Sequence, residues 1–426
     1  MKEGDEDTIE DYPQSPVPPH ARRGFLPTVI ILLGFTFFSA TMWAGGTIGV
    51  AFPFWPDLIA VILLGNLLLA GYVAALAYVS QKSGLNTALM GRYCFGRIGS
   101  RWPDLVLGLT QVGWYAWGTA TVAILSVDLL GLGEGWKAPL MVLFGATFCL
   151  TAFIGYRGLE RLSMVSVPLM CILILVSMTI ATRDGGGVAG VFSIAPAASM
   201  GVGEAVTIVV GTFIAGGTQA TNWTRFSDTP RAAVGAALIA FLLGNGLMIL
   251  VGAYGALVYG ESDIVQMLGL QGLLIGGVVM LFMNIWTTQD NTIYNFSVAG
   301  CDLLRTNRRR LITLGGAGAG TVLALLGMYD WLVPYMQMLG TLIPPIGGII
   351  LADFILVQKG RYPSLEEADR CAVRWTGVVA YIAASAVAVS SPGIPPLNGA
   401  IAAFLLYSVT ARYLRPSAAS VPHRSR

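Results

Sequence analysis

Asn284-Ile-Trp-Thr-Thr-Gln-Asp-Asn291 sits within a long apolar run, roughly 269–304. Apolar runs of that length read as membrane-spanning helices. Yet six polar side chains, Asn284, Thr287, Thr288, Gln289, Asp290 and Asn291, fall near its middle. Polar groups inside a bilayer are costly, and they face a bundle interior or a wet cavity. On a helix, Asn284, Thr287, Thr288 and Asn291 share one stripe, with Asp290 on its shoulder. Such a stripe requires something polar to hold; an ion and a small polar solute meet that requirement.

The rest of the chain agrees that the bilayer is its solvent. Of 426 residues, 55% are hydrophobic and only 11% charged, against about 25% charged in soluble domains. The net charge of +2 gives no field for nucleic acid. Cys94, Cys149, Cys171, Cys301 and Cys371 lack paired spacing and read as free thiols, with no metal or disulfide framework. The two histidines, His20 and His423, lie in the tails, so neither serves a zinc site or a proton relay within the membrane. The chain contains no GxxxxGK[ST] loop and no GxSxG elbow, which argues against a nucleotide-driven machine or an enzyme. The acidic, proline-bearing start is unlike a cleavable signal peptide.

A polar tail, 1–24, reads as disordered, and a second tail occupies 415–426. Between them lie twelve apolar spans: 25–51, 57–80, 103–130, 138–155, 160–182, 204–224, 232–259, 269–303, 311–328, 330–357, 373–390 and 397–414. Of the 25 Lys and Arg, 23 fall in loops and tails on one side of this arrangement; only Lys137 and Arg183 fall on the other. The positive-inside rule then places both termini in the cytoplasm. The loop 81–102 is long enough for a surface helix, although its glycines and arginines equally fit an irregular loop.

Two spans carry a Gly-Gly pair with hydroxyl residues near mid-membrane: span one at Phe37-Phe-Ser-Ala-Thr-Met-Trp-Ala-Gly-Gly46, span six at Gly211-Thr-Phe-Ile-Ala-Gly-Gly-Thr218. Glycine weakens a helix, and unwound backbone in a bilayer must line a cavity. Spans one and six are five apart, which points to two inverted five-helix repeats, 25–182 and 204–357, followed by two further helices, 373–414. The competing reading is close glycine packing between intact helices. In span three, Gln111 and Trp114 share a face at mid-depth, an amide beside an indole, which suits a flat heteroaromatic solute. An interhelical hydrogen bond beside a packed tryptophan would look the same. Ile343-Pro-Pro-Ile-Gly-Gly348 predicts a kink in span ten.

Several stretches carry a more specific likeness: SPVPPHARRG from Ser15, LGFTFFSATMWAGGTIG from Leu33, LTQVGWYAWG from Leu109, NIWTTQDN from Asn284 and IPPIGGIILADF from Ile343. Over residues 15 to about 410 the chain resembles the nucleobase–cation symporter-1 family. The resemblance implies the LeuT-type fold, with helices 1 and 6 broken, and uptake of nucleobases or related rings, cytosine foremost, with a cation. It implies a solute pocket in which Trp114 and Phe213 sandwich the ring and Gln111 bonds its edge. Backbone at Ala215, Gly216 and Gly217 would add donors and acceptors, and Asn284, Gln289 and Asp290 would line the cavity from span eight. It also implies a sodium site built from the carbonyls of Gly34, Phe37 and Asn284 and the hydroxyls of Thr287 and Thr288, all oxygen ligands of the kind a hard cation prefers. Hydroxyl bonds back to their own helix are the alternative for the two threonines.

The expected mechanism is alternating access in a bacterial inner membrane, with sodium bound between spans one and eight shaping the adjacent pocket. Asp290, the one carboxylate placed deep in the bilayer, makes proton coupling the nearest rival. A passive channel would need a continuous polar lining rather than one cluster at a single depth.

Overall fold

The structure, a computed structural model, describes residues 11–261 and 264–414. Residues 1–10 of the expected first tail, and all of the expected tail 415–426, lie outside the described residues. Regular structure is helical, and every expected span is occupied by helix. Phe54–Ser83, Glu134–Ile154, Tyr156–Asp184, Pro230–Tyr259 and Met328–Val357 are each long and apolar enough to cross a membrane. Phe25–Thr36 and Ser39–Gly49 form one further span, bent by 55°. Arg101–Leu130, Val202–Thr218 with Thr221–Thr224, Leu274–Leu303, Arg309–Leu325, Trp375–Ser390 and Pro395–Leu414 carry the remaining six.

Span one breaks at Phe37 and Phe38, the start of the stretch expected to unwind, rather than at its Gly45-Gly46 pair. The Phe37 N–H still closes the first half on the Leu33 carbonyl (2.9 Å), and Thr41 N–H opens the second on Phe38 (3.1 Å). Between them the backbone leaves helical geometry: φ −76°, ψ 88° at Phe37 and φ −134°, ψ 132° at Phe38. The last carbonyls of a helix lack partners within it, and inside a bilayer they must find them elsewhere. Span eight supplies them: Asn284 donates its amide to the Phe37 carbonyl, and the Thr288 hydroxyl donates to Phe35 (3.2 Å). The glycine pair has a different purpose. A Cβ on Gly45 or Gly49 would strike the backbone of Ile249 or Ala253, and one on Gly252 would strike Met42. Small residues thus let the second half of span one and Asn245–Tyr259 of span seven touch backbone to backbone.

Span six, by contrast, breaks later than its glycine pair. Val202–Thr218 is unbroken through Gly216 and Gly217, and the chain departs from helix at Gln219 and Ala220 before Thr221–Thr224 resumes. Here too the glycines make room: a Cβ at Gly217 would meet Val73 at 2.6 Å, and one at Gly216 would press on the Phe35 ring. Span ten breaks at Ile343, with Pro344 and Pro345 opening the next helix, where a missing N–H costs nothing. The open question in 81–102 resolves as a helix, Thr87–Phe95, buried along its whole length rather than lying at the surface and capped by the Asn86 side chain on Leu89 N–H (2.8 Å).

Residues 11–24, expected as disordered tail, instead pack against the arginine-bearing end of the bundle. Arg225 donates to the carbonyls of Asp11 (2.6 Å) and Tyr12 (2.8 Å), Asn86 donates to Pro13 (3.2 Å), and Val17 is buried with its N–H on Gly84 (2.9 Å). The physical reason is local: Arg225 is buried within protein, and backbone carbonyls satisfy its guanidinium.

Candidate functional site

A narrow cavity of about 10 Å³, room for little more than one water, lies where the broken spans meet spans three and eight. Span one contributes Phe35 and Phe38, span three Gln111 and Trp114, span six Thr212, Phe213 and Gly216, and span eight Thr288 and Thr292. Larger hollows, up to about 670 Å³, open on the outer surfaces; this one lies among the elements whose helices are interrupted. Its walls are aromatic. Phe38 meets Trp114 (centroids 5.7 Å apart) and Phe213 (6.2 Å) edge-on, and Phe35 meets Phe213 at 5.0 Å. Such walls offer π faces to a flat ring. One turn beyond Trp114, Trp117 stacks on Tyr329 (6.1 Å) and closes that side. Toward the arginine-bearing end, Trp223 stacks on Tyr294 (6.1 Å), and Asn222 donates to Asn295 (2.7 Å).

Gln111 is the outstanding polar group in this cavity. It is fully buried, and neither its Nε2 nor its Oε1 has a hydrogen-bond partner. A buried amide left unpaired costs about 1–3 kcal/mol, so its presence calls for a function. One donor and one acceptor at the edge of an aromatic slot are what a heterocyclic amide needs.

Beside the cavity lies a cluster of oxygens. The Thr288 hydroxyl is within 3.2 Å of the Phe35 carbonyl, 3.4 Å of Phe37 and 3.3 Å of the Asn284 carbonyl. Asn284 Oδ1 is buried and has no partner. Thr287 is near but turned back, its hydroxyl on the Asn284 carbonyl (2.8 Å). Gly34 packs on Ser163 of span five. Of the five expected cation ligands, the structure thus gathers Phe37, Asn284 and Thr288. It adds Phe35 and shows Gly34 only in helix packing; the back-bond considered as the alternative is Thr287's single contact, and Thr288 makes it beside its two contacts to span one.

The expected solute residues divide as well. Gln111, Trp114, Phe213 and Gly216 line the cavity. Ala215 and Gly217 do not, because the helix continues through them; their carbonyls accept the N–H groups of Gln219 and Ala220 (each 3.2 Å). Asn284 faces the break in span one rather than the cavity. Gln289 points at span three, donating to the Tyr115 carbonyl, with Gly118 leaving room for its amide. Asp290 points at span four, accepting from the Thr151 hydroxyl (2.9 Å) and from Asn291 Nδ2 (3.1 Å). Successive residues of a helix turn about 100° apart, so Gln289 and Asp290 cannot share the face of Thr288.

Phe35, Phe38, Thr212 and Thr292 went unrecognised in the sequence. Thr292 follows Thr288 by four residues and extends the same stripe, so spacing alone reaches it. Phe35 and Phe38 carry no comparable signal, since aromatic residues in apolar spans are ordinary core.

Comparison with known proteins agrees with this geometry. Residues 16–409 match a family described as permeases for cytosine/purines, uracil, thiamine and allantoin. The chain is 36% identical over 415 residues to the cytosine permease of Escherichia coli K12, covering 97% of each. It is 25% identical to the hydantoin permease of Microbacterium maritypicum, over 87% of this chain and 82% of that one. Among solved structures it resembles Mhp1, a nucleobase-cation-symport-1 family transporter in a closed conformation with bromovinylhydantoin bound (TM-score 0.83, 19% identity, 95% and 96% coverage). A sodium-coupled sialic acid symporter shares the fold at TM-score 0.65 and 12% identity, with coverage of 96% and 92%. These relatives are named as permeases, a transporter and a symporter. The chain belongs to the nucleobase–cation symporter-1 family of permeases and has its LeuT-type all-helical fold.

Proposed function

We propose that this protein imports cytosine, or a nucleobase closely like it, together with sodium by alternating access across a bacterial inner membrane, both termini being cytoplasmic. The unpaired Gln111 amide facing the aromatic cavity carries the reading. The narrow slot opens to admit the ring, which stacks between Trp114 and Phe213 while its amide edge satisfies both Gln111 atoms. The 36% identity to a cytosine permease favours cytosine over the other rings of the family.

The oxygen cluster at Phe35, Phe37, Asn284 and Thr288 takes the cation. Sodium on the Phe37 carbonyl displaces the Asn284 amide hydrogen from it. Turning that amide brings the unpartnered Oδ1 inward as a further ligand. Phe38, the next residue, is a cavity wall, so a cation that fixes the Phe37 carbonyl also fixes the solute slot. Two ligands sharing one bend raise each other's affinity.

Uptake of labelled cytosine into proteoliposomes tests this. A sodium gradient drives accumulation, and unlabelled pyrimidines compete. Accumulation that follows a pH gradient and ignores sodium supports the proton reading, with Asp290 as carrier. Equilibration without accumulation supports a passive facilitator, and failure of every nucleobase to compete removes the substrate class.

A further inference from the structure

A second, unrelated hollow opens at the arginine-bearing end, between the segment leading into span one, the start of span five, the stretch after span six and the start of span nine. Four arginines and one histidine line it: Arg22, Arg23, Arg157, Arg310 and His20. The carboxylates nearby are already engaged. Asp11 Oδ2 accepts the Tyr156 N–H (3.2 Å) and pairs with Arg309 (3.6 Å); Glu160 pairs with Arg23 (2.9 Å). Arg23 also lies over the Tyr156 ring at 4.5 Å, and Arg310 over Phe153 at 5.2 Å. Among the described residues, the side chains of Arg22 and Arg157 pair with nothing, and Arg22 Nε is buried without a hydrogen bond. A buried guanidinium nitrogen without an acceptor is costly. Planar guanidinium forks match the oxygens of a phosphate.

The surroundings narrow the source of that phosphate. Ile154, a wall of the hollow, is 60% exposed, and Phe25 and Leu26 at the entry of span one are 43% and 64% exposed. Large apolar side chains standing outward at the start of a membrane span face acyl chains. The hollow therefore lies where headgroups meet hydrocarbon, and basic pockets between helices at that level hold anionic lipid headgroups. We infer that this pocket is a binding site for an anionic phospholipid, its phosphodiester held by Arg22 and Arg157 and its tails lying along Phe25, Leu26 and Ile154. The bound lipid ties the entry of span one to the start of span five.

The full chain, purified in detergent, is titrated with phosphatidylglycerol, phosphatidylcholine or inorganic phosphate while its thermal unfolding is followed. Phosphatidylglycerol raises the midpoint, and the other two do not. In R22Q/R157Q the lipid concentration giving half the shift rises roughly ten-fold or more. R157Q alone, at an exposed residue with no partner to lose, shows a smaller rise in the same direction. An equal response to phosphatidylcholine, or an unchanged response in R22Q/R157Q, overturns the proposal. A shift reproduced by inorganic phosphate makes the pocket a general anion site and also overturns it. The sequence 1–10 carries five carboxylates; if R22Q/R157Q loses its effect once these residues are removed, the anion is the chain's own acidic stretch.

Discussion

Replacing Gln111 with methionine should stabilise the substrate-free protein and weaken solute binding together. The two side chains have similar length and helix propensity, so span three keeps its shape. In the empty cavity the Gln111 amide satisfies neither its donor nor its acceptor. Removing it relieves an unpaired buried polar group, which stabilises by about 1–3 kcal/mol. With solute bound, the same amide makes the bonds that orient the ring edge. Losing them costs a similar about 1–3 kcal/mol, or roughly five- to 150-fold in affinity. Unfolding of the purified protein, measured with and without saturating cytosine, reads both effects. Gln111→Met should unfold later than the native protein without cytosine and gain less from its addition. A variant less stable than the native protein in both conditions would show that Gln111 is a structural amide. A variant that binds cytosine as tightly would remove it from the solute site.

Further predictions follow from neighbouring contacts. Thr288→Ala removes a hydroxyl surrounded by three carbonyls, and the sodium concentration for half-maximal uptake should rise roughly ten-fold; unchanged sodium dependence would move the cation elsewhere. Asp290→Asn keeps an oxygen for Thr151 and lies off the cavity, so the one local bond survives and sodium-driven uptake should persist within about two-fold; abolished uptake would instead support a proton carried there. Gly45→Leu forces a side chain into the Ile249 backbone and should destabilise by about 3 kcal/mol or more, seen as an earlier unfolding transition; a neutral outcome would mean that spans one and seven can part without cost.

Much of this architecture is written in hydropathy. Long apolar runs and one-sided arginines locate the spans, because the bilayer forces backbone bonds to close within each helix. Where the helices break is less legible. Gly45-Gly46 and Gly216-Gly217 look like weak points in the chain, yet both pairs stay helical, since the neighbours they accommodate cannot be seen locally. Phe38 looks like ordinary core and Phe37 is marked only by the family resemblance, yet the helix parts there because Asn284 and Thr288, some 250 residues later, take over its carbonyls. The same non-locality governs the site. Gln111, Trp114 and Thr288 stand on faces their spacing predicts and Phe213 where only the family resemblance put it, while Gln289 and Asp290 are recruited by Tyr115 and Thr151 on helices the sequence does not place beside them.

The union of a cation with a flat solute at one bend is tested most directly by equilibrium binding of labelled cytosine to the purified protein, in sodium and in choline. Sodium should tighten binding, and cytosine should tighten sodium binding by the same factor. Equal affinity in the two salts would contradict the account at its centre, whatever the fate of the other residues.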